Sequence, residues 1–490
     1  MQVGILREID TFQNPIHAPR VGAIATELRF EYHRSVWQVP RMKISCFSLL
    51  SISLFFSGVH ADDWSQFQGP TRNGVSMETR LNLSGWDAKA PAVLWEKELN
   101  NGFGGASIHG DEVFMIDRDL GERDRLLCLS RATGETKWDF SYDYEGKLSF
   151  PGSRGVPLAE EDAVYYISGF GQVFRINRET HEPDWMVPMR EKYGAEEGTP
   201  KWGWAQSPVI VGDILIVPAH SDSAGLVGFD KKTGEVKWET EGFGDSHSTP
   251  TVMTLQGVEQ VVFLATKRGE NDEGIGTTIS VLPETGEVIW KTDVYFNKIP
   301  IPFPNKVTEE LVYLTGGYEN GSCMIKVTKN EGKLWDVEKL FDMTQGTQIH
   351  PPFVIDDHIY FLANENANHK GEARTAGGLM CMDFDGNIKW QTGDQPFMGR
   401  GNMILVDGHL LIQDGEVGYL RAVHPSPEGY QEVGFFDAFG KKGEVDEEIA
   451  KQANRDVKKM PDFQYWSPMA LSDGHLIMRA QNMVKCLNLN

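Results

Sequence analysis

Eleven residues, Gly228 to Trp238 (GFDKKTGEVKW), constrain this chain more than any others, because the chain keeps rewriting them. Cys128 to Trp138 and Ser280 to Trp290 follow the same pattern, and looser copies end at Trp185, Trp335 and Trp390. In each copy an apolar strand ends, a polar turn follows, and a second strand closes on Trp. Thr-Gly is the turn, since Gly takes the positive φ of a tight, bulged hairpin without steric cost. His181 and Glu331 stand where Gly is expected in two copies. His tolerates positive φ better than most residues, and Asn330 offers to shift the other turn by one. With Trp95 included, successive copies are 43 to 55 residues apart. That period, with several short strands in each unit, predicts a β-propeller with one blade per repeat. The apolar positions alternate in twos, so helical repeats are excluded.

The strand starts give the count. Innermost strands are expected to open at Ala106, Pro157, Pro208, Pro250, Pro304, Pro352, Asn402 and Pro468. Pro suits the first residue of a strand, where no ladder donor is needed. An Asp follows five residues on in six repeats, at 111, 162, 213, 357, 407 and 473, and reads as a turn former between first and second strands. The expectation is an all-β, eight-bladed β-propeller of four-stranded antiparallel blades. Seven blades are continuous, near 103–140, 153–187, 205–240, 247–294, 301–342, 349–393 and 399–437. The eighth joins the ends of the chain, with 463–490 supplying its inner strands and 92–99, carrying Trp95, its outer one. Closure of this kind removes the open edge of the ring.

Upstream of the repeats the reading changes. Met42-Lys43 opens an apolar run, Ile44 to Phe56, ending in Val59-His60-Ala61. This is the pattern of a signal peptide over 42–61, with cleavage expected after Ala61. The run is too short to span a bilayer comfortably. Residues 1–41 lack strand or helix periodicity and read as an upstream extension outside the fold, with Met42 a candidate initiator. The propeller then occupies 62–490 in an exported protein, periplasmic or extracellular, expected to be monomeric. Net charge is −23, with 47 basic against 70 acidic side chains, and no basic run appears, which speaks against nucleic acid and anionic lipid as partners. Cys128, Cys381 and Cys486 share one repeat position. They lie too far apart in different blades to bridge, so they and Cys323 read as buried free thiols. No metal-binding Cys spacing is present. Residues 443–460, charged but carrying Ala450, Ala453 and Val457, read as a helical surface insertion. The acidic loops at His220–Ser223 and Glu270–Gly274 lack the ligand order of a calcium loop.

In a propeller, the residues just before the innermost strands face one another across the axial mouth. Here these are Arg154, Trp204, Gln206, Ser207, His247, Ser248, Phe303, His350, Arg400, Tyr465, Trp466 and Ser467. Among them Arg154, Trp204, Gln206, His247, His350, Arg400 and Trp466 are the candidate ligand-binding residues. Polar residues are also expected there simply because such a channel is wet. The repeat tryptophans, by contrast, are expected to pack between blades.

Asp63-Trp64-Ser65-Gln66-Phe67-Gln68-Gly69-Pro70, then Arg72-Asn73-Gly74-Val75-Ser76, precede the repeats. Together with the T-G-E-x-x-W hairpins, this opening resembles the quinoprotein propellers of the pyrroloquinoline quinone (PQQ) repeat family, over about 62–490. Some bacterial look-alikes are labelled polyvinyl-alcohol-dehydrogenase-like, and the same repeat also builds non-enzymatic outer-membrane assembly propellers. The resemblance implies eight blades. It also implies, for enzymatic members, PQQ with calcium at the mouth, where aromatics would stack on the quinone and Arg would grip its carboxylates. Three features of the family's dehydrogenases are missing from the sequence: a vicinal Cys pair, the calcium-ligand motifs and an assignable catalytic Asp. The expected function is therefore binding or scaffolding of a protein partner or small ligand at the mouth. A PQQ-dependent alcohol dehydrogenase is the first alternative. A carbohydrate-binding propeller, stacking sugars on Trp204 and Trp466, is the second.

Overall fold

The structure, a computed structural model, describes residues 63–119, 122–148, 150–269, 273–365, 375–440 and 464–490. The segments read from the sequence as an upstream extension (1–41), a signal peptide (42–61) and a helical insertion (443–460) lie outside the described residues. Among the described residues, 32 strands form eight four-stranded sheets. Seven sheets use four consecutive strands, and the eighth joins Ala92–Glu98 to Met483–Asn488 in an antiparallel pair. The chain is the eight-bladed propeller that the repeat predicts. The innermost strands open at Ala106, Leu158, Val209, Thr251, Asn305, Phe353, Asn402 and Ala470, so that Pro157, Pro208, Pro250, Pro304 and Pro352 each stand one residue before a strand. The recurring Asp residues occupy the first turn of their blades, with Asp357, Asp407 and Asp473 at positive φ. No described helix is long and apolar enough to cross a membrane. All four described cysteines are free and buried.

The repeat works by docking an outer-strand ring on the next blade's turn. The Trp95 indole donates to the Arg131 carbonyl at 2.7 Å, Trp185 to Lys231 at 3.2 Å, Trp238 to Pro283 at 2.8 Å and Trp390 to Ser426 at 2.8 Å. Three of those turns carry a Gly at positive φ whose α-carbon the incoming ring covers. A Cβ added at Gly134 would lie 2.5 Å from Trp95, at Gly234 2.9 Å from Trp185, and at Gly286 2.5 Å from Trp238. Gly is thus required twice, for its backbone angle and for its missing side chain. His181 takes the same left-handed conformation (φ 62°) and replaces the contact with a stack, its ring 4.5 Å from that of Trp138. In the fifth blade Gly332, not Glu331, adopts positive φ, so the turn falls one residue later. There Phe341 covers Gly386 of the next blade; in the fourth blade Trp290 is fully buried and bonds Gln260 of its own blade at 2.7 Å. Each third-to-fourth strand pair also slips register by a bulge, which adds twist to the outer strand.

At the seam where the ends of the chain meet, Arg479 is almost fully buried and donates to the carbonyls of Gly104 (3.0 Å) and Ile116 (2.9 Å). Trp86 meets Phe436 edge-to-face at 5.7 Å and supplies the aromatic contact for the seventh blade.

The axis holds a feature the repeat does not announce. Residues 63–78 contact the innermost region of every blade in turn. The Trp64 and Ser65 carbonyls accept Ile108 N–H and Ala159 N–H, each at 2.8 Å. Arg72 donates to the Ile210 carbonyl. Phe67 packs edge-to-face on Phe303 at 5.8 Å, and Gln66, Phe67 and Arg72 line a cleft with Thr249–Val252. Gln68 meets His350, and the Gly74–Ser76 backbone pairs with Leu405. Finally the Glu78 carboxylate accepts the N–H groups of Asp473 and Gly474, both at 2.7 Å. The channel expected to be wet is therefore occupied by the chain's own segment.

Gly134→Ala is expected to lower stability by about 2 kcal/mol, from left-handed strain plus displacement of Trp95. His181→Ala is expected to lose about 1 kcal/mol of stacking while the backbone angle is retained. Urea or thermal midpoints of the two variants check both values. A Gly134→Ala protein as stable as the parent would contradict the docking account.

Candidate functional site

The connections between blades and the loops between second and third strands open on one face, opposite the T-G turns. This mouth face carries six rings in mutual contact. Phe103, Phe150 and Trp466 form a triangle with centroid separations of 5.9 to 6.3 Å. Trp202 follows at 6.0 Å from Phe150, then stacks on His247 at 5.0 Å and approaches Tyr318 at 6.2 Å. They come from loops of the eighth, first, second, third, fourth and fifth blades, so the chain of rings arches across the axis. All except His247 are half-buried. Tyr318 is held there by strained backbone, since both it and Glu319 adopt left-handed φ (60° and 62°), a conformation that costs a non-glycine residue about 1 kcal/mol or more. The Glu365 carboxylate accepts Glu319 N–H at 3.0 Å and steadies the turn.

The seven candidates divide. Arg154, His247, Arg400 and Trp466 come together around the rings. The Arg154 guanidinium donates to the carbonyls of Gly152 (2.7 Å) and Phe150 (2.5 Å) and lies 5.9 Å from the centre of Phe103. Arg400 bonds Glu416 at 2.7 Å and sits 5.1 Å over Trp466. Asp414, beside it, caps the loop by accepting N–H groups of Gly399, Glu416 and Val417, and burial pushes its carboxyl pKa upward. The other three turn away. Trp204 is fully buried between the second and third blades, its indole N–H 3.3 Å from the Pro218 carbonyl, so it offers no platform for a sugar. Gln206 is fully buried and donates to the Ser246 carbonyl at 2.6 Å. His350 stacks on Phe353 and accepts from Gln68 of the axial segment at 3.3 Å.

Phe103, Phe150, Trp202, Tyr318 and Glu416 were not among the candidates. Phe150 and Trp202 lie only two to four residues upstream of Arg154 and Trp204, in the same loops. Tyr318 sits in Gly316-Gly317-Tyr318-Glu319-Asn320-Gly321, whose glycines announce an unusual backbone.

Three buried histidines in this region are held neutral. Burial, helped by Arg190, pulls His220 down to about 3; burial pulls His350 to about 4. Burial and the nearby His220, Arg154 and Arg268 hold His247 well below its ordinary value. Neither ring nitrogen of His220 makes a hydrogen bond, while His247 meets the Gly203 backbone.

A calcium-bound quinone would need guanidiniums for its carboxylates and a cage of oxygens for the cation. Among the described residues no group of three or more His, Cys, Asp or Glu side chains is placed to hold a metal. Arg154 is engaged by backbone carbonyls and Arg400 by Glu416, while the six rings pack on one another across the mouth. The described residues do not fit that pair.

The family model described as outer membrane protein assembly factor BamB matches residues 145–392. Among solved structures, BamB from Moraxella catarrhalis is similar with a TM-score of 0.52 and 12% identity, over 81% of this chain and 99% of that one. Quinohemoprotein alcohol dehydrogenase from Comamonas testosteroni gives 0.58 and 11%, over 87% and 80%. A europium-containing methanol dehydrogenase gives 0.53 and 9%, over 77% and 85%. At these identities the structural likeness speaks for the fold alone. A search of curated proteins finds no significant match.

The histidines set the acid limit. Their folded-state pKa values lie below the unfolded value near 6.5, so the unfolded chain takes up protons the folded chain cannot. Their contribution is intact above about pH 6.5 and is lost as pH falls toward 4. His247→Phe preserves the stack on Trp202 without a titratable ring. It is expected to make stability fall less steeply as pH drops below about 6.5, because a ring that binds no proton in either state replaces one that the unfolded chain protonates more readily than the folded chain. Denaturation midpoints across pH check this.

Proposed function

The chain belongs to the family of PQQ-repeat propellers described as outer membrane protein assembly factor BamB, and we propose from that premise that it is an exported scaffold that holds a protein partner against its mouth face. The carrying observation is the division of labour in the mouth. Its charged groups are engaged within the protein, while Phe103, Phe150, Trp202, Tyr318 and Trp466 keep part of their faces open. Aromatic side chains with a buried Arg among them are the composition of protein-binding hot spots. The signal-peptide pattern over 42–61 supports export, and the acidic balance supports a partner other than nucleic acid or anionic lipid.

The test has two arms. Purified protein is titrated with PQQ and calcium, followed by tryptophan fluorescence and by dye-linked oxidation of an alcohol panel. The expected result is neither binding nor turnover. A photo-crosslinking residue is then placed in cells at Lys201 or Glu319 on the mouth, and at Lys89 away from it. Adducts to one protein from the mouth positions alone, weakened at least tenfold by Trp202→Ala, support the scaffold. Stoichiometric quinone binding with turnover that Arg400→Ala abolishes would replace it with the dehydrogenase.

A further inference from the structure

The face opposite the mouth carries one side chain that the repeat does not explain. Where the third strand of a blade gives way to its turn, the last residue is a cap in four blades. Ser130 accepts Thr133 N–H, Asn177 accepts Thr180 N–H, Asp230 accepts Thr233 N–H and Asp383 accepts Asn387 N–H, at 2.9 to 3.3 Å. In the seventh blade that position is His424, whose backbone N–H bonds the Gln431 carbonyl as those of the other four bond across their turns. Its side chain caps nothing, because Ser426 accepts the Glu428 N–H instead, at 3.2 Å. The His424 ring is exposed and makes no hydrogen bond among the described residues.

Across the sheet stands a second imidazole. The second strand, His409–Gln413, runs antiparallel to the third, Tyr419–Val423, with Leu410 opposite Val423, which sets His409 opposite His424. The ring centres are 5.6 Å apart, at an interplanar angle of 58°. The sixth and eighth blades also place His at the first of these positions, but His358 faces Asp383 and His475 faces Asn488. His409 Nδ1 donates to the Asp407 carbonyl at 2.7 Å. A carbonyl only accepts, so Nδ1 carries the hydrogen and Nε2 keeps its lone pair.

A metal–nitrogen bond of about 2.0–2.1 Å puts a ring centre about 3.2 Å from the ion, so two imidazoles on one tetrahedral ion have centres about 5.2 Å apart. The observed pair stands within about half an ångström of that separation. Imidazole suits zinc and its late first-row neighbours, whereas magnesium and calcium take oxygen ligands. No third His, Cys, Asp or Glu joins the pair among the described residues, which leaves the other positions to water.

We propose that His409 and His424 form a two-histidine site for zinc or a similar late divalent ion. The ion staples the second strand of the seventh blade to the third, beside the turn on which Trp390 docks. The site lies on the face away from the mouth rings and does not depend on the scaffold reading.

Isothermal titration calorimetry of the purified chain with zinc, free of any polyhistidine tag, tests this, with magnesium and calcium as comparators. Zinc is expected to bind where the comparators do not, and to raise the thermal midpoint. His424→Ala is expected to leave the midpoint without zinc unchanged and to weaken zinc about tenfold or more, because the second imidazole meets an ion already held by the first. His409→Ala is expected to weaken zinc as much, and the double variant no further. His358→Ala, which removes an equivalent imidazole with no His opposite, is expected to leave zinc affinity as it was. His424→Ala decides the matter if His409→Ala does not fold. No zinc binding, binding that His424→Ala leaves intact, or half of the bound zinc surviving in each single variant would overturn the proposal.

Discussion

Eight innermost strands around one axis leave eight strand edges facing inward, each with backbone donors and acceptors that no neighbouring strand can pair. Buried groups of that kind must find partners, because an unmade hydrogen bond costs about 1–3 kcal/mol. In this chain the partner is its own segment 63–78. Ile108, Ala159 and Leu405 donate to its carbonyls, Ser76 donates back to Leu405, and Glu78 closes the circuit on the eighth blade. The occupied axis also draws His350 into structural service through Gln68.

Between blades the governing contact is the ring on the turn. It couples two sequence positions about 40 residues apart, which is why the fold can be read from the sequence. Thr-Gly and Trp recur together because each Gly serves the tryptophan of the blade before it. The exceptions follow the same physics. His181 keeps the left-handed angle and stacks instead of yielding space, Trp290 of the fourth blade sinks into its own blade, and in the fifth blade Phe341 rather than Trp335 covers the next blade's glycine. Blade count, chain closure and thiol burial were legible on this basis, while the prolines expected to open strands stand one or two residues before them.

The site was less legible. Loops before the innermost strands have no periodicity, so the sequence places a residue in a loop without saying which way its side chain turns. Trp204 and Trp202 are two residues apart, yet the first fills the core beneath Arg190 and the second joins the mouth rings. Arg154 and Arg400 reached the mouth as expected, but their acceptors, two backbone carbonyls and Glu416, could not be read from residue type. The axial segment was hidden for another reason. It is unique rather than repeated, and its Gly, Pro and Asn read as a connecting loop, although Trp64 and Phe67 within it are too large and apolar for one.

The most direct measurement is backbone hydrogen exchange at Ile108, Ala159, Ser76, Leu405, Asp473 and Gly474. If the axial segment pairs with the innermost strands, these amides are protected as strongly as those of the second strands, such as Phe114, and exchange together with them. Exchange at the rate of exposed turn amides such as Lys232 would mean that the axis is open to water, and the account of a closed axis would fail.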